Sequence, residues 1–226
     1  MNILALDTSM GACSAALLRR DGAVFVRQVR MARGHAEALM PMVAEVMEGA
    51  ALAFAEIDLI AATLGPGSFT GVRIAIAAAR GLALVTGARL FGTDSLTVMA
   101  KLARTSGELG PGPFAVAVDA RRGMVHFGLY DEEAGKLAGP LLLTPDEAIG
   151  FLPSGLRVAA GSGASLLAEA AALQERILDA SLPELQPSAG ALAEIAYQSG
   201  ETVPALRPLY LRPPDAKPQV QAVLRR

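Results

Sequence analysis

The sequence predicts an α/β protein of two lobes, each with a mixed sheet and flanking helices. Short apolar runs alternate with segments whose apolar residues recur every three or four positions, a pattern typical of strands and helices within one chain. A strand-turn-strand unit near the start recurs 112 positions later. Its matched pairs are Asp7 and Asp119, Gly11 and Gly123, and Leu17 and Leu129. A duplicated lobe is the simplest explanation of this offset.

The composition is that of a folded protein with no general affinity for nucleic acid. With 52% apolar residues among 226, the chain can bury one large core or two small ones. A net charge of −2 gives no global attraction to phosphate backbones, and the absence of Trp leaves few platforms for stacking bases. We therefore expect any contact with RNA to depend on local patches or on a partner.

The chain carries no sign of secretion or of a membrane span. The single Cys13 excludes an internal disulfide and suits a reducing cytosol. Met1 leads directly into a strand-like run, without the charged and apolar regions of a secretory leader. The apolar stretch 72–85 is interrupted by Arg73 and Arg80 and is predicted to be a core helix. We expect a cytoplasmic protein.

The first elements are three strands and a helix. Strands are predicted at 2–6, 13–18 and 24–29, and a helix at 35–54. Apolar residues at spacings of three and four give that helix one apolar face, and Pro41 inside it predicts either a kink or a helix start.

A glycine-rich turn, G-P-G-S-F-T-G, follows a buried strand at 59–64 and precedes a helix of small residues at 70–85. Glycines before a helix suggest a phosphate loop. However, Gly71 is followed by Val72 where a Walker loop has Lys, and Thr70 stands where a dinucleotide fingerprint has Gly. We predict a structural turn with Ser68 or Thr70 as helix cap. Its key residues are Gly65, Gly67, Ser68, Thr70 and Gly71.

The stretch T-S-G-E-L-G-P-G-P at 105–113 permits neither helix nor paired strand and predicts the boundary between the lobes. We assign residues 1–104 to the first lobe, 105–200 to the second, and 201–226 to a tail that returns to the first lobe. Further predicted elements are strands at 115–118, 125–130 and 157–160, and helices at 164–178 and 188–197.

Two carboxylates stand at equivalent strand ends. Asp7, followed by Thr8 and Ser9, and Asp119 can hold a magnesium-bound phosphate between facing lobes, or each can cap its own turn. Both interpretations stay open. The only histidines are His35 and His126, and no H-E-x-x-H, C-x-x-C or G-x-S-x-G motif occurs, so we predict no metal site and no catalytic residue.

Several motifs together resemble the bacterial TsaB family, also called YeaZ, from Ile3 to Arg212. They are I-L-A-L-D-T-S, R-G-H-A-E-A-L-M-P, G-P-G-S-F-T-G-V-R-I-A, A-V-D-A-R-R-G-M-V-H and P-L-Y-L-R. The resemblance implies a duplicated actin-like or Hsp70-like (ASKHA) fold. It also implies a role in making threonylcarbamoyladenosine beside the tRNA anticodon, as a scaffold that activates the related catalytic subunit TsaD.

The resemblance further implies partners and an interface. TsaD has an H-x-x-x-H metal motif, whereas the matching stretch here, 91–98, contains no histidine. ATP, Mg²⁺ and a metal are therefore expected only in the partners, TsaD and the ATPase TsaE, and tRNA only through the complex. Alone, the chain is expected to form a homodimer through the two first-lobe helices. The implied interface residues are His35, Leu39, Met42, Val43, Val46, Ile74, Ala78 and Leu82. The alternative is an independent kinase or ATPase that uses Asp7 and Asp119.

Overall fold

The structure is a computed structural model that describes residues 1–211. Residues 212–226, which include most of the predicted tail and the last residue of the P-L-Y-L-R motif, lie outside the described residues.

Ten strands of the described chain form two five-stranded sheets with the same topology. The first contains β1 (Ile3–Asp7), β2 (Ala12–Leu18), β3 (Val24–Arg30), β4 (Leu59–Thr63) and β5 (Arg89–Thr93) in the order β3-β2-β1-β4-β5. The second contains β6 (Phe114–Asp119), β7 (Val125–Tyr130), β8 (Lys136–Leu143), β9 (Val158–Ala160) and β10 (Asp179–Ser181) in the order β8-β7-β6-β9-β10. In the order given for each sheet, the first three strands are antiparallel to their neighbours. The fourth strand pairs in parallel with the third, and the fifth pairs in parallel with the fourth. The predicted duplication is confirmed.

The strand register corrects one of the three residue matches. Asp7 pairs with Ser14, whereas Asp119 pairs with Val125, so the turn of the second unit is one residue shorter. The offset therefore holds for the first strand of each unit and changes after the turn. Leu129 is equivalent to Leu18 rather than to Leu17.

Six helices accompany the sheets within residues 1–211. They are α1 (His35–Gly49), α2 (Phe69–Thr86), α3 (Ser95–Thr105), α4 (Pro145–Phe151), α5 (Ala164–Leu173) and α6 (Ala189–Ser199). Of the predicted helices, the first ends at Gly49 rather than Phe54, and α5 ends at Leu173 rather than Leu178. Pro41 does not start α1, which passes through it, and its ring lies on the exposed side.

Each face of the first sheet has its own cover. Alternate side chains of β1 point to opposite faces, so Leu4 and Leu6 pack with α1 and α2, whereas Ile3 and Ala5 pack with α6. The second sheet is covered in the same way, by α4 and α5 on one face and by α3 on the other.

In each lobe, one face of the sheet is covered by a helix from the range assigned to the other lobe. Helix α3 starts in the range assigned to the first lobe, yet its Leu96 and Met99 pack on Phe114 and Tyr130 of the second sheet. Helix α6 lies in the range assigned to the second lobe, yet its Leu192 packs on the first sheet. The lobe boundaries stay a prediction, and the packing crosses them in both directions.

The end of the described chain returns to the first lobe along β5. The Val203 amide donates to the Leu90 carbonyl at 2.8 Å, and the Leu206 side chain is fully buried in the first core. The Leu209 amide then donates to the Leu64 carbonyl at 2.7 Å. Residues 203–209 therefore fasten the chain end beside the glycine-rich turn.

Two glycines of α2 give a matched test of this packing. A Cβ atom on Gly71 would clash with the Thr8 carbonyl oxygen, whereas a Cβ on Gly81 would meet no atom within 4 Å. We expect Gly71→Ala to lower the free energy of unfolding by about 1–3 kcal/mol. Gly81→Ala, in the interior of the same helix, should raise it by about 0.5–1 kcal/mol. Denaturant unfolding of both variants measures the difference, and equal effects would contradict the close contact.

Candidate functional site

The loop that follows β1 is sealed inside the first lobe. Asp7, Thr8 and Ser9 are fully buried. The hydroxyls of Thr63 and Ser9 and the Ser9 amide donate to Asp7 Oδ1, while Oδ2 has no partner among the described residues. Burial raises the pKa of the Asp7 carboxyl, and these hydrogen bonds offset the shift only in part.

The glycine-rich turn lies directly on this loop. The Ser68 amide donates to the Ser9 carbonyl at 2.7 Å, and the Thr8 hydroxyl donates to the Gly71 carbonyl at 2.6 Å. A Cβ on Gly67 would clash with the Ser9 carbonyl oxygen. These close backbone contacts favour a structural turn over a phosphate loop.

The cap of α2 is Ser68. Its hydroxyl accepts from the Gly71 amide at 2.9 Å, whereas Thr70 is an exposed residue of the first helical turn. Gly65 has φ 99°, a left-handed conformation that favours glycine. Of the five predicted turn residues, Ser68 is the cap, Gly65 is favoured by its conformation, and two glycines are required by close contact. Thr70 is not the cap.

Asp119 repeats the role of Asp7 in its own lobe. Its Oδ1 accepts from the Arg121 amide at 2.7 Å, just as Asp7 accepts from Ser9 two residues ahead. Its Oδ2 pairs with the Arg121 guanidinium at 3.1 Å. No hydrogen bond or ion pair within residues 1–211 joins Asp119 to Asp7. Of the two interpretations left open, the geometry favours turn capping at both positions.

Asp94 was missed as a functional residue by sequence reasoning. It lies in the stretch matched to the TsaD metal motif, and there it caps α3 by accepting from the Thr97 amide at 2.9 Å. Its Oδ2 also binds Lys136 Nζ of the second sheet at 2.6 Å, with the Asp94 side chain only 4% exposed. The D-S-L-T sequence was the available signal for the cap. No sequence signal pointed to Lys136.

Helix α3 also contacts the glycine-rich turn. The Ser95 amide donates to the Gly65 carbonyl at 2.8 Å, and the Ser95 hydroxyl donates to that of Ser9 at 3.0 Å. The Asp94–Lys136 pair thus links the second lobe to the loop of Asp7. Across the described residues, no group of three His, Cys, Asp or Glu side chains is placed to hold a metal ion.

The predicted interface residues of α1 are core residues. The helix turns its apolar stripe onto the first sheet, so these side chains are at most 7% exposed and offer no surface to a partner. This corrects the assignment of Leu39, Met42, Val43 and Val46. On α2, Ile74, Ala78 and Leu82 are half-buried at the edge of the same core. His35 is also half-buried, with Nε2 3.1 Å from the Met10 carbonyl.

Other residues of the same two helices form an exposed apolar surface. Leu84 and Val85 are 87% and 85% exposed, and Met40 of α1 is 44% exposed. Small residues leave room for close approach. We call this surface the α1–α2 face and define it by Met40, Ala44, Ala77, Gly81, Leu84 and Val85.

Helix α2 is long and apolar enough to cross a membrane, judged by length and composition alone. It carries Arg73 and Arg80 and packs one side on the first sheet. Helices of folded domains meet the same criterion, so this finding is weak evidence for a span.

An aromatic group fixes an arginine at the start of α2. The Arg73 guanidinium lies 3.4 Å from the ring centre of Phe69 and 5.5 Å from that of Tyr210. The two rings stack with centres 5.6 Å apart. The returning chain end thus holds Arg73 in place beside the α1–α2 face.

Comparison with known sequences gives matches over most of the chain. A family model described as TsaD, tRNA N6-adenosine threonylcarbamoyltransferase, matches residues 29–206. The tRNA threonylcarbamoyladenosine biosynthesis protein TsaB of Haemophilus influenzae is 30% identical, over 94% of each chain. The TsaB protein of Escherichia coli is 38% identical over 59% of this chain and 56% of its own.

Solved structures give the same match. YeaZ from Pseudomonas aeruginosa superposes with a TM-score of 0.77 and 32% identity, over 93% of this chain and 99% of that one. A Pseudomonas aeruginosa protein described as similar to peptidase YeaZ gives a TM-score of 0.78 and 33% identity, over the same shares. The fold is the expected duplicated actin-like fold. By sequence, over nearly the whole length, and by structure, the chain belongs to the TsaB (YeaZ) family.

Proposed function

We propose that the chain takes part in tRNA threonylcarbamoyladenosine biosynthesis as a non-catalytic subunit that docks onto a TsaD-like catalytic subunit and supports it. The observation that carries the proposal is the exposed α1–α2 face on a chain whose relatives bear that pathway's name. Apolar surface of this kind, rimmed by charged residues, marks protein interaction sites.

The residues at the equivalent of a catalytic centre support the non-catalytic role. In place of the metal motif, Asp94 forms an ion pair with Lys136. The loop of Asp7 is closed by the glycine-rich turn through backbone contacts. The Asp94–Lys136 pair links the two lobes, and the backbone contacts of the turn hold the first lobe together.

The remaining partner assignments follow from the same role. We expect the isolated chain to bind neither nucleotide nor metal tightly, so that ATP, Mg²⁺ and a metal belong to the TsaD-like subunit and a TsaE-like ATPase. With a net charge of −2, the chain should reach tRNA only through the complex. In the absence of partners it should form a homodimer in the cytoplasm.

A second function, that of an independent kinase or ATPase, is favoured only by the position of Asp7 at the end of β1. The fold alone does not decide this, since one fold hosts many functions. One structural relative is described as similar to a peptidase. For a metal-dependent peptidase, the described residues offer no group of three metal-binding side chains.

The docking face is tested by Leu84→Glu. A charge placed at an 87% exposed position should leave the fold intact and weaken co-purification with a TsaD-like subunit by about tenfold or more. Leu173→Glu, at an 85% exposed position of α5, is the matched control and should bind normally. Undiminished binding by Leu84→Glu would remove the α1–α2 face from the proposal.

The kinase alternative is tested by calorimetric titration of the isolated chain with ATP and Mg²⁺. We expect no heat of binding, because the turn already occupies the approach to Asp7. Saturable binding that disappears in Asp7→Asn would favour the kinase or ATPase instead.

The buried carboxyl gives a pH dependence of stability. Because burial raises the pKa of Asp7 in the folded chain, its stability contribution is full at low pH and is lost as pH rises through the folded-state pKa. We expect the free energy of unfolding of Asp7→Asn, relative to the unaltered chain, to increase as pH is raised from acid to neutral.

Glu147 provides a control of opposite sign. Hydrogen bonds from Thr144 lower the pKa of its carboxyl, so Glu147→Gln should lose relative stability as pH rises over the acid range. Urea unfolding across this pH range measures both trends. Parallel trends in the two variants would contradict the assignment for Asp7.

A further inference from the structure

The two sheets of the described chain have four edge strands, β3, β5, β8 and β10. Three of them are poorly suited to accept a further strand. Val203 already pairs with β5, Pro140 and an irregular register interrupt β8, and β10 has only three residues. Strand β3 is the exception, because all seven of its residues pair with β2 in an unbroken register.

The outer edge of β3 carries unpaired backbone groups. The Met31 amide donates to the Gly11 carbonyl, so in this register the odd-numbered residues of β3 direct their backbone groups towards β2. Because this direction alternates along an antiparallel strand, the even-numbered residues direct theirs outwards. Among the described residues, these outward groups have one partner, the Arg27 guanidinium, which donates to the Val26 carbonyl at 3.4 Å. The outward residues are Val24, Val26, Gln28 and Arg30.

The side chains of this edge are partly apolar. Val24, Val26 and Val29 are between 38 and 48% exposed. Val24 and Val26 lie on the sheet face that α6 covers, and Val29 lies on the face that α1 covers. A strand added beside β3 therefore covers valines on both faces of the sheet. Left uncovered, a long apolar edge of this kind promotes aggregation.

Arginines at both ends of β3 set the charge that this edge accepts. Five arginines and one aspartate lie between residues 19 and 33, in a chain whose net charge is −2. Arg19, Arg27 and Arg30 have carboxylate partners. Arg20 precedes the strand and Arg33 follows it, and both are exposed without an ion pair to any described residue. An acidic residue near each end of an added strand meets these two charges.

We propose that the outer edge of β3 binds an extended segment of a partner protein, one with an apolar run between acidic residues at its two ends. The segment joins the first sheet as a new edge strand and pairs with the outward backbone groups. The unpaired amides and the valines favour a protein strand over RNA, since a phosphate backbone would use only the arginines. This surface shares no residue with the α1–α2 face, so the inference goes beyond the proposed docking of a TsaD-like subunit.

A defined peptide tests the proposal. The probe is a fluorescein-labelled peptide with blocked ends, Glu-Val-Thr-Val-Thr-Val-Thr-Glu, and its control has Lys in place of both Glu residues. By fluorescence anisotropy we expect saturable binding of the probe and binding of the control that is weaker by about tenfold or more. The double variant Arg20→Glu and Arg33→Glu should reverse this preference. Arg157→Glu, at an exposed arginine of the second lobe, should not change it.

The backbone contact is tested at Gln28. Gln28→Pro removes an outward amide and leaves the pairing of β3 with β2 intact, because proline is tolerated at a sheet edge when its missing N–H faces outwards. We expect probe binding to weaken by about tenfold. Gln28→Thr keeps the amide and should bind normally. Circular dichroism verifies that the variants are folded.

Hydrogen exchange of the unaltered chain, followed by NMR, gives the same test without a substitution. On addition of the probe, the amides of residues 24, 26, 28 and 30 should become protected, whereas those of residues 25, 27 and 29 already bond to β2 and should not change. Protection of a different set of amides would place the peptide elsewhere and overturn the proposal.

Two further results would overturn it: no saturable binding of the probe, or binding that neither Gln28→Pro nor the double arginine variant affects. A single-stranded RNA that binds through Arg20 and Arg33, while the peptide does not, would assign the edge to nucleic acid instead. None of these outcomes decides the role in the pathway. That role is measured separately, by binding of the Leu84→Glu variant to a TsaD-like subunit.

Discussion

The contact between the glycine-rich turn and the loop of Asp7 is the constraint on which the rest of the first lobe depends. Backbone meets backbone there, and the contact tolerates no side chain at Gly67 or Gly71. It fixes the start of α2 and receives the first amide of α3 through the Gly65 carbonyl. The same contact leaves Asp7 without access to solvent. In a sequence that resembles a phosphate loop, these glycines allow close backbone packing.

Helices α3 and α6, which pack across the boundary between the lobes, connect this contact to the rest of the molecule. Each sheet needs a cover on both faces, and each takes one cover from the other half of the chain: α6 for the first sheet and α3 for the second. The Asp94–Lys136 pair adds a polar contact at the same junction. The lobes are consequently tied together by packing rather than by a single linker. A stable relative position of the lobes suits a subunit that presents a surface to a partner.

The sequence predicted the duplicated strands and α2 well. In these segments the spacing of apolar residues, the turn residues and the helix cap all indicate the same structure. It did not predict β8, where Gly139 and Pro140 suggest a loop. This strand tolerates them because it lies at the sheet edge and its register is irregular. On α1, the residues predicted to form the interface are core residues. An apolar stripe reports burial, but Leu39 and Val43 carry no information on whether the sheet or a partner covers them.

The return of the chain end has a consequence for synthesis on the ribosome. The first sheet is complete in sequence by residue 93, yet the helix that covers one of its faces begins at Ala189, and Leu206 completes the core on the other. Until those residues emerge, Ile3, Ala5 and Leu59 lack their cover. The nascent first lobe therefore exposes an apolar sheet face while residues 94–188 are being synthesised, the kind of surface that chaperones bind.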